Sequence, residues 1–96
     1  MSDYENTIIR KRIQVYGFVQ GVGFRYRTMH AANTKGATGW VQNQPDGSVL
    51  MEIQGTEAQI DAVFQIIIQG TYIHIDRMDA KTLPIEETEY GFHILG

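Results

Sequence analysis

Apolar and polar residues alternate along Ile8–Tyr16, near the start of the chain. The run Ile13-Gln14-Val15 shows the alternation, which places apolar side chains on one face and polar side chains on the other. A period of two residues is typical of a half-buried β-strand. Three glycines within Gly17–Gly23 then interrupt the alternation. The pattern therefore predicts a first strand that is followed by a loop.

Two later stretches have the residue types and the spacing of helices. Phe24–Lys35 is rich in helix formers and small residues, and Gly36 directly after it is a typical helix stop. A second helix is predicted from the capping-box spacing of Thr56 and Gln59. Gly70 is expected to end this second helix. The residues expected to face the interior are Phe24, Met29 and Ala32 in the first helix and Ile60, Val63, Phe64 and Ile67 in the second.

The rest of the chain is predicted to form β-strands. Thr38–Gln42 and Ser48–Gln54 flank residues 43–47, whose Pro-Asp-Gly sequence is a strong turn signal, so these two strands should form an antiparallel hairpin. Ile73–Leu83 and Tyr90–Leu95 supply the later strands. The order is β-α-β-β-α-β with a short terminal strand. This order predicts an α+β fold, a ferredoxin-like split βαβ sandwich with two helices on one face of a mainly antiparallel sheet.

Length and composition restrict the possible classes of protein. A chain of 96 residues has room for a single domain, residues 1–96. The chain contains no cysteine, which excludes disulfides, thiolate catalysis and cysteine-ligated metals. A net charge of −3 argues against general nucleic-acid binding, for which a basic excess is expected. The N-terminus is polar and no long apolar run occurs, so we expect a cytoplasmic protein without a signal peptide or membrane span.

Positive and negative residues are distributed unevenly along the chain. Residues 6–45 contain six Lys or Arg and no Asp or Glu, whereas residues 46–96 contain two cations and nine carboxylates. A positive tract in an acidic protein can attract a small anion to one place. A basic solvent face on the first strand and first helix, with Arg10 and Arg12 on the strand, explains the distribution equally well.

The glycine-rich stretch Gly17–Arg25 is the strongest candidate for a binding site. It lies between a predicted strand and a predicted helix, where backbone N–H groups and the positive end of the helix dipole can bind an anion. Arg25, in the first helical turn, can add a two-pronged contact to phosphate oxygens. The sequence lacks the P-loop pattern, and Tyr26 breaks the Gly-x-Gly-x-x-Gly pattern of dinucleotide loops. From these residues alone, an anion site and an ordinary connecting loop are equally supported.

Asn43, at the end of the predicted second strand, is the second candidate. Its amide could hold a water molecule by accepting a hydrogen bond from it and donating one to a neighbour. The residues alone favour the alternative that Asn before Pro-Asp-Gly serves the turn. The histidines, which are His30, His74 and His93, do not have metal-ligand spacing, and no motif for a nucleophile or an organic cofactor occurs. We therefore predict no metal and no cofactor.

Two segments of the chain together resemble the paired signature of the acylphosphatase family. The segments are Gly17-x-Val19-Gln20-Gly21-Val22-Gly23-Phe24-Arg25 and Gly39-Trp40-Val41-Gln42-Asn43-Gln44-Pro45-Asp46-Gly47-Ser48-Val49. They occur in the family's order and at the family's spacing. The similarity continues to Gly91-Phe92-His93-Ile94 and so covers nearly the whole chain.

The resemblance implies an enzyme that hydrolyses the carboxyl-phosphate bond of acyl phosphates by water attack, without a metal, a cofactor or a phosphoenzyme. A small anionic acyl phosphate would be the substrate, and inorganic phosphate would be both product and competitive inhibitor. We further expect a monomer without nucleic-acid or membrane partners. Asn43 is implied to orient the attacking water. The implied phosphate-binding residues are Val19, Gln20, Gly21, Val22, Gly23, Phe24 and Arg25.

Two departures and two alternatives accompany the resemblance. Gln42 stands where many members carry Arg or Lys, and Gly70-Thr71 replaces the usual Gly-Pro. The first alternative is a non-catalytic module that binds acyl phosphate or carbamoyl phosphate, because similar domains begin the hydrogenase-maturation carbamoyltransferases. An RNA-recognition module shares the order of elements, but the predicted third strand, Ser48–Gln54, has no aromatic platform for stacking bases, so we reject it.

Overall fold

The computed structural model describes residues 6–96. The polar start of the chain, on which the prediction of no signal peptide depends, lies largely outside the described residues. The elements in chain order are β1 (Ile8–Phe18), α1 (Phe24–Lys35), β2 (Thr38–Asn43), β3 (Val49–Thr56), α2 (Glu57–Ile67), β4 (His74–Leu83) and β5 (Phe92–Ile94).

The strands form one sheet in the order β4-β1-β3-β2-β5. The pairs β1–β4, β1–β3 and β2–β3 are antiparallel, and the short edge pair β2–β5 is parallel. The two helices pack against each other, α1 over β2 and β5 and α2 over β3. The predicted fold class, an α+β ferredoxin-like sandwich, is therefore confirmed.

The core lies between the helices and one face of the sheet. Alternate residues of β3 are buried along its whole length, as the period of two requires. The second helix begins with the predicted capping box, in which Thr56 accepts from the Gln59 backbone N–H and the Gln59 side chain accepts from the Thr56 N–H. The fully buried residues that join the layers include Val15, Val41, Met51, Phe24, Ala32, Val63 and Ile67.

Element ends differ from the sequence-based predictions at two places near the loop. β1 continues past Tyr16 to Phe18, because a bulge between Tyr16 and Gly17 keeps the strand paired with β4. The second helix ends at Ile67, not at Gly70, because Gly70 instead closes a tight turn that leads into β4.

Arg10 corrects the prediction of a uniformly basic solvent face. The residue is only 2% exposed, and its guanidinium donates to Glu52 Oε1 at 2.9 Å and to Glu89 Oε1 at 2.7 Å. The hydrogen bond to Glu89 raises the pKa of Arg10. Burial pushes the pKa of Glu89 upwards, but the hydrogen bond and charge of Arg10, together with smaller contributions from Thr38 and His93, outweigh burial and hold that pKa below its ordinary value. This cation is therefore neutralised within the protein.

Candidate active site

The loop between β1 and α1 leaves the first N–H groups of α1 available for a ligand. Gly21 and Gly23 both adopt left-handed backbone angles, with φ of 74° and 79°, which only glycine adopts without strain. Gly23 is the N-cap residue of α1, and no side chain accepts a hydrogen bond from the N–H groups that begin this helix. The first turn of α1 contains no acidic residue. Helix starts normally have such donors satisfied by a side chain, water or a ligand. The loop thus presents unsatisfied donors and the positive end of the helix dipole at one point.

Arg25 is the second residue of α1 and is half-buried. Within residues 6–96, its guanidinium makes no hydrogen bond and no ion pair. The other arginines all have partners: Arg10 and Arg12 bind Glu52, Arg27 binds the Ile66 carbonyl, and Arg77 binds Asp79. A cation at the positive end of a helix is unfavourable unless an anion lies beside it. Arg25 is therefore the arginine that this part of the structure leaves for an external anion.

Asn43 is the last residue of β2 and lies on the same strand face as Val41, which is the face covered by the helices. Its Oδ1 is buried and has no hydrogen-bond partner among the described residues. The following turn is held by other groups, since Ser48 donates its N–H and its Oγ–H to Asp46 Oδ1 at 2.9 and 2.6 Å. These bonds lower the pKa of Asp46. The side chain of Asn43 is thus not used by the turn.

A cleft of about 200 Å³ brings Arg25 and Asn43 together. Of the seven residues predicted to bind phosphate, the cleft is lined by Val19, Gly21, Gly23, Phe24 and Arg25, and not by Gln20 or Val22. Tyr26 and Ile94 complete the lining, and neither was expected from the sequence. No signal in the sequence indicates Ile94, because its place beside the loop depends on the parallel pairing of β5 with β2.

Gln20 has a structural contact that sequence reasoning missed. Its side-chain Nε2 donates to the carbonyl oxygens of Gln44 and Ser48, at 2.7 and 2.8 Å. Gln44 and Ser48 flank the turn between β2 and β3, so Gln20 ties the glycine-rich loop to the turn that follows Asn43. An amide in a loop otherwise made of glycine and valine is the only sequence signal for this contact.

The three histidines lie on three different elements, α1, β4 and β5. His30 packs its ring against Tyr26 at a centroid distance of 4.5 Å, His74 pairs with Asp76, and His93 contacts the Tyr90 carbonyl oxygen. Residues 6–96 contain no group of three or more His, Asp or Glu side chains arranged to hold a metal ion. No helix in the same range is both long and apolar enough to span a membrane.

Comparisons with known proteins agree on one family. A family model described as acylphosphatase matches residues 11–94. A curated acylphosphatase from Oceanobacillus iheyensis is 42% identical over 80 residues, which are 81% of this chain and 87% of that protein. A curated acylphosphatase from Geobacillus kaustophilus is 39% identical over 87 residues, which are 90% of this chain and 93% of that protein.

Solved structures agree in fold. The crystal structure of an acylphosphatase from Bacillus subtilis superposes with a TM-score of 0.82 at 29% identity, covering 92% of this chain and 99% of that one. Full-length HypF, in a phosphate- and nucleotide-bound form, also reaches a TM-score of 0.82, at 27% identity. The similar region covers 95% of this chain but only 12% of HypF.

Proposed function

We propose how this site acts from the premise that the chain belongs to the acylphosphatase family and is an enzyme that hydrolyses acyl phosphates. The observation that carries the proposal is the cleft where Arg25, without a protein partner in residues 6–96, meets the buried and unpaired Oδ1 of Asn43. The non-catalytic alternative is not favoured, because the chain covers 87% and 93% of two relatives that are themselves acylphosphatases.

Arg25 and the loop bind the phosphoryl group in this proposal. The backbone N–H groups at the start of α1 donate to phosphoryl oxygens, and glycine at positions 21 and 23 lets the backbone approach closely. The Arg25 guanidinium adds charge-assisted hydrogen bonds. Together they stabilise the charge that spreads over the phosphoryl oxygens in the transition state. Phosphoryl transfer requires this kind of positioning more than it requires covalent chemistry.

Asn43 orients the attacking water. The terminal torsion of an Asn side chain is soft, so its amide can turn to accept from a water O–H in the cleft. The water oxygen forms a bond to phosphorus while the bond from phosphorus to the carboxyl oxygen breaks, and the electron pair leaves with the carboxylate. The water proton passes to a phosphoryl oxygen of the substrate. This step needs no basic side chain, and no carboxylate lines the cleft within residues 6–96.

The products are a carboxylate and inorganic phosphate. Phosphate retains the charge that Arg25 and the loop bind, so it should act as a competitive inhibitor. A monomeric state, a cytoplasmic location and a single domain over residues 1–96 belong to the same proposal. They follow from the sequence and stay predictions.

Titration with inorganic phosphate, followed by amide NMR, tests the placement of the phosphoryl group. We expect the largest shifts at the backbone amides of Gly21–Arg25, with a dissociation constant that matches the inhibition constant for acyl-phosphate hydrolysis. Gln14, on the polar face of β1, serves as an internal control that should not shift. Competitive inhibition combined with shifts centred on another region would contradict the proposal.

A further inference from the structure

A second and larger cavity adjoins the cleft. It is a groove of about 560 Å³ between α1 and the turn that connects α2 to β4, a volume in the usual range for small-molecule sites. Its apolar lining includes Ala31 from α1, Ile66 from α2 and Ile73 from the turn, and Tyr26 and Tyr72 also line it. We call this cavity the acyl groove. The proposed mechanism does not use it.

The acyl groove and the cleft meet at Gly23 and Tyr26, which line both cavities. Asn43 lines only the cleft. In-line displacement at phosphorus requires the attacking water and the leaving group to lie on opposite sides of the phosphorus atom. If Asn43 holds the water, the acyl group must point away from Asn43. The acyl groove is the cavity that borders the phosphate loop without including Asn43.

The side chains around the groove suit an apolar and planar group. Tyr26 is 61% exposed and Tyr72 is 74% exposed, so both rings have free surface for stacking. Two contacts hold the α1 side of the groove in place: the Tyr26 ring packs on His30, and Arg27 donates from Nε to the Ile66 carbonyl at 2.7 Å. No Asp or Glu of residues 6–96 lines the groove. An acyl group that carries a positive charge therefore finds no counter-charge there.

We infer that the acyl groove binds the acyl part of the substrate and makes the enzyme prefer large apolar, aromatic acyl groups to the acetyl group. This inference rests on the proposed positions of phosphate and water. An acetyl group adds only one methyl beyond the reacting carboxyl, so it ends near Gly23. A benzoyl group extends its ring into the space beside Tyr26 and Tyr72.

The test compares benzoyl phosphate with acetyl phosphate in the same protein preparations. Tyr72→Ala removes an exposed side chain from a turn and should leave the fold intact. We expect it to lower the ratio of kcat/KM for benzoyl phosphate over acetyl phosphate by about tenfold, the lower end of discrimination by an apolar pocket. Thr71→Trp, which fills the groove from the same turn, should lower this ratio at least as much.

Tyr90→Ala is the matched control, because Tyr90 is an 84% exposed tyrosine that does not line the groove. It should leave the ratio unchanged. If wild-type protein hydrolyses both substrates and neither groove variant changes the ratio more than Tyr90→Ala does, the inference is wrong while the proposed function stands. If wild-type protein hydrolyses neither substrate, the proposed function itself fails.

Discussion

Arg25 and Asn43 illustrate what single residues do in this molecule and how far sequence reasoning reaches at that scale. Residue types at suitable spacing identify both as candidates, but they leave a plain loop and a turn as open alternatives. Two facts from the structure favour the candidate site over these alternatives: Arg25 has no partner within residues 6–96, and the turn after Asn43 is held by Asp46. Whether a group already has a partner depends on tertiary contacts, which local sequence does not encode.

Replacing Arg25 with alanine should impair phosphoryl binding without unfolding the protein. The side chain is half-buried beside a loop and adds little to the core. We expect kcat/KM for benzoyl phosphate to fall by at least ~10³, which corresponds to about 4 kcal/mol for a charge-assisted phosphate contact. Arg25→Lys should recover only part of the activity, because an ammonium cannot make the two-pronged contact.

Arg77→Ala is a control for Arg25→Ala, because it removes a surface arginine that pairs with Asp79 on β4. It should leave kcat/KM within about twofold of wild type, because Arg77 does not line the cleft and a surface substitution usually changes stability by only about 0.5 kcal/mol. If the Arg25→Ala protein is folded and its turnover is close to that of Arg77→Ala, Arg25 is not part of the site.

Asn43→Ala should separate catalysis from phosphate binding. The substitution removes the group that we propose positions water, so kcat should fall by roughly 10²–10³, the range for one positioned polar group. The inhibition constant of inorganic phosphate should change little, because Arg25 and the loop are intact. A parallel loss of phosphate binding and kcat would instead make Asn43 a phosphate ligand or a residue that shapes the loop.

At the scale of elements, the site depends on two segments that the sheet brings together. The loop after β1 carries the donors, the end of β2 carries Asn43, and Gln20 ties the two by bonding to Gln44 and Ser48. The existence of these elements follows from periodicity and turn residues. The tie does not, because it joins positions 24 and 28 residues apart. The bulge at Gly17 cannot be predicted from local sequence either, because it is defined by the pairing of β1 with β4.

Gln20→Ala should loosen the loop relative to the turn. It deletes two hydrogen bonds, each worth roughly 0.5–1.5 kcal/mol of the free energy of unfolding, so urea unfolding should show a loss of about 1–3 kcal/mol. The inhibition constant for phosphate should rise as well, because the loop donors are held less firmly.

Gln14→Ala is the matched control for Gln20→Ala. Gln14 also donates to Ser48, to its Oγ at 2.9 Å, but from β1 and not from the loop. This control should lose stability without losing phosphate affinity. Equal effects of the two variants on phosphate affinity would show that the tie does not serve the site.

At the scale of the whole molecule, the uneven charge distribution has two components that the sequence cannot distinguish. Arg10 is neutralised by Glu52 and Glu89 from distant parts of the chain, whereas Arg25 is left unpaired within residues 6–96. Both belong to the same positive tract, and only the fold shows which one faces a carboxylate. The positive tract therefore contains one buried structural cation and one cation at the candidate site.

Burial of Arg10 with Glu89 should make stability depend on pH. The pKa of Glu89 is lowered in the folded state from an ordinary value of 4.5. The stabilisation that the ionised Glu89 carboxylate gives the folded state is therefore fully present above about pH 4.5. It is lost as the pH falls through the lower folded-state pKa. Glu89→Gln should reduce the free energy of unfolding at pH 7 by about 1–3 kcal/mol, and the deficit relative to wild type should shrink in acid.

Thermal or urea unfolding between pH 7 and pH 3 measures this difference. Glu87→Gln, two residues away and without an ion pair to Arg10, should follow wild type at every pH. A deficit for Glu89→Gln that stays constant down to pH 3 would mean that the ionised carboxylate of Glu89 does not stabilise the fold.

The most direct test of the central claim compares two phosphate compounds in one protein preparation, with and without EDTA. The cleft has no carboxylate within residues 6–96 that could protonate a leaving group. A carboxylate leaves unprotonated because its conjugate acid has a pKa of roughly 4–5, whereas an alkoxide leaving group is nearly as basic as hydroxide. General acid catalysis ordinarily contributes about 10²–10⁴ to such reactions, and no carboxylate or histidine of residues 6–96 lines the cleft to supply it. We predict fast hydrolysis of benzoyl phosphate, feeble hydrolysis of glycerol phosphate, and no effect of EDTA or added Mg²⁺. Comparable rates on the two compounds, or loss of activity with EDTA, would contradict this account.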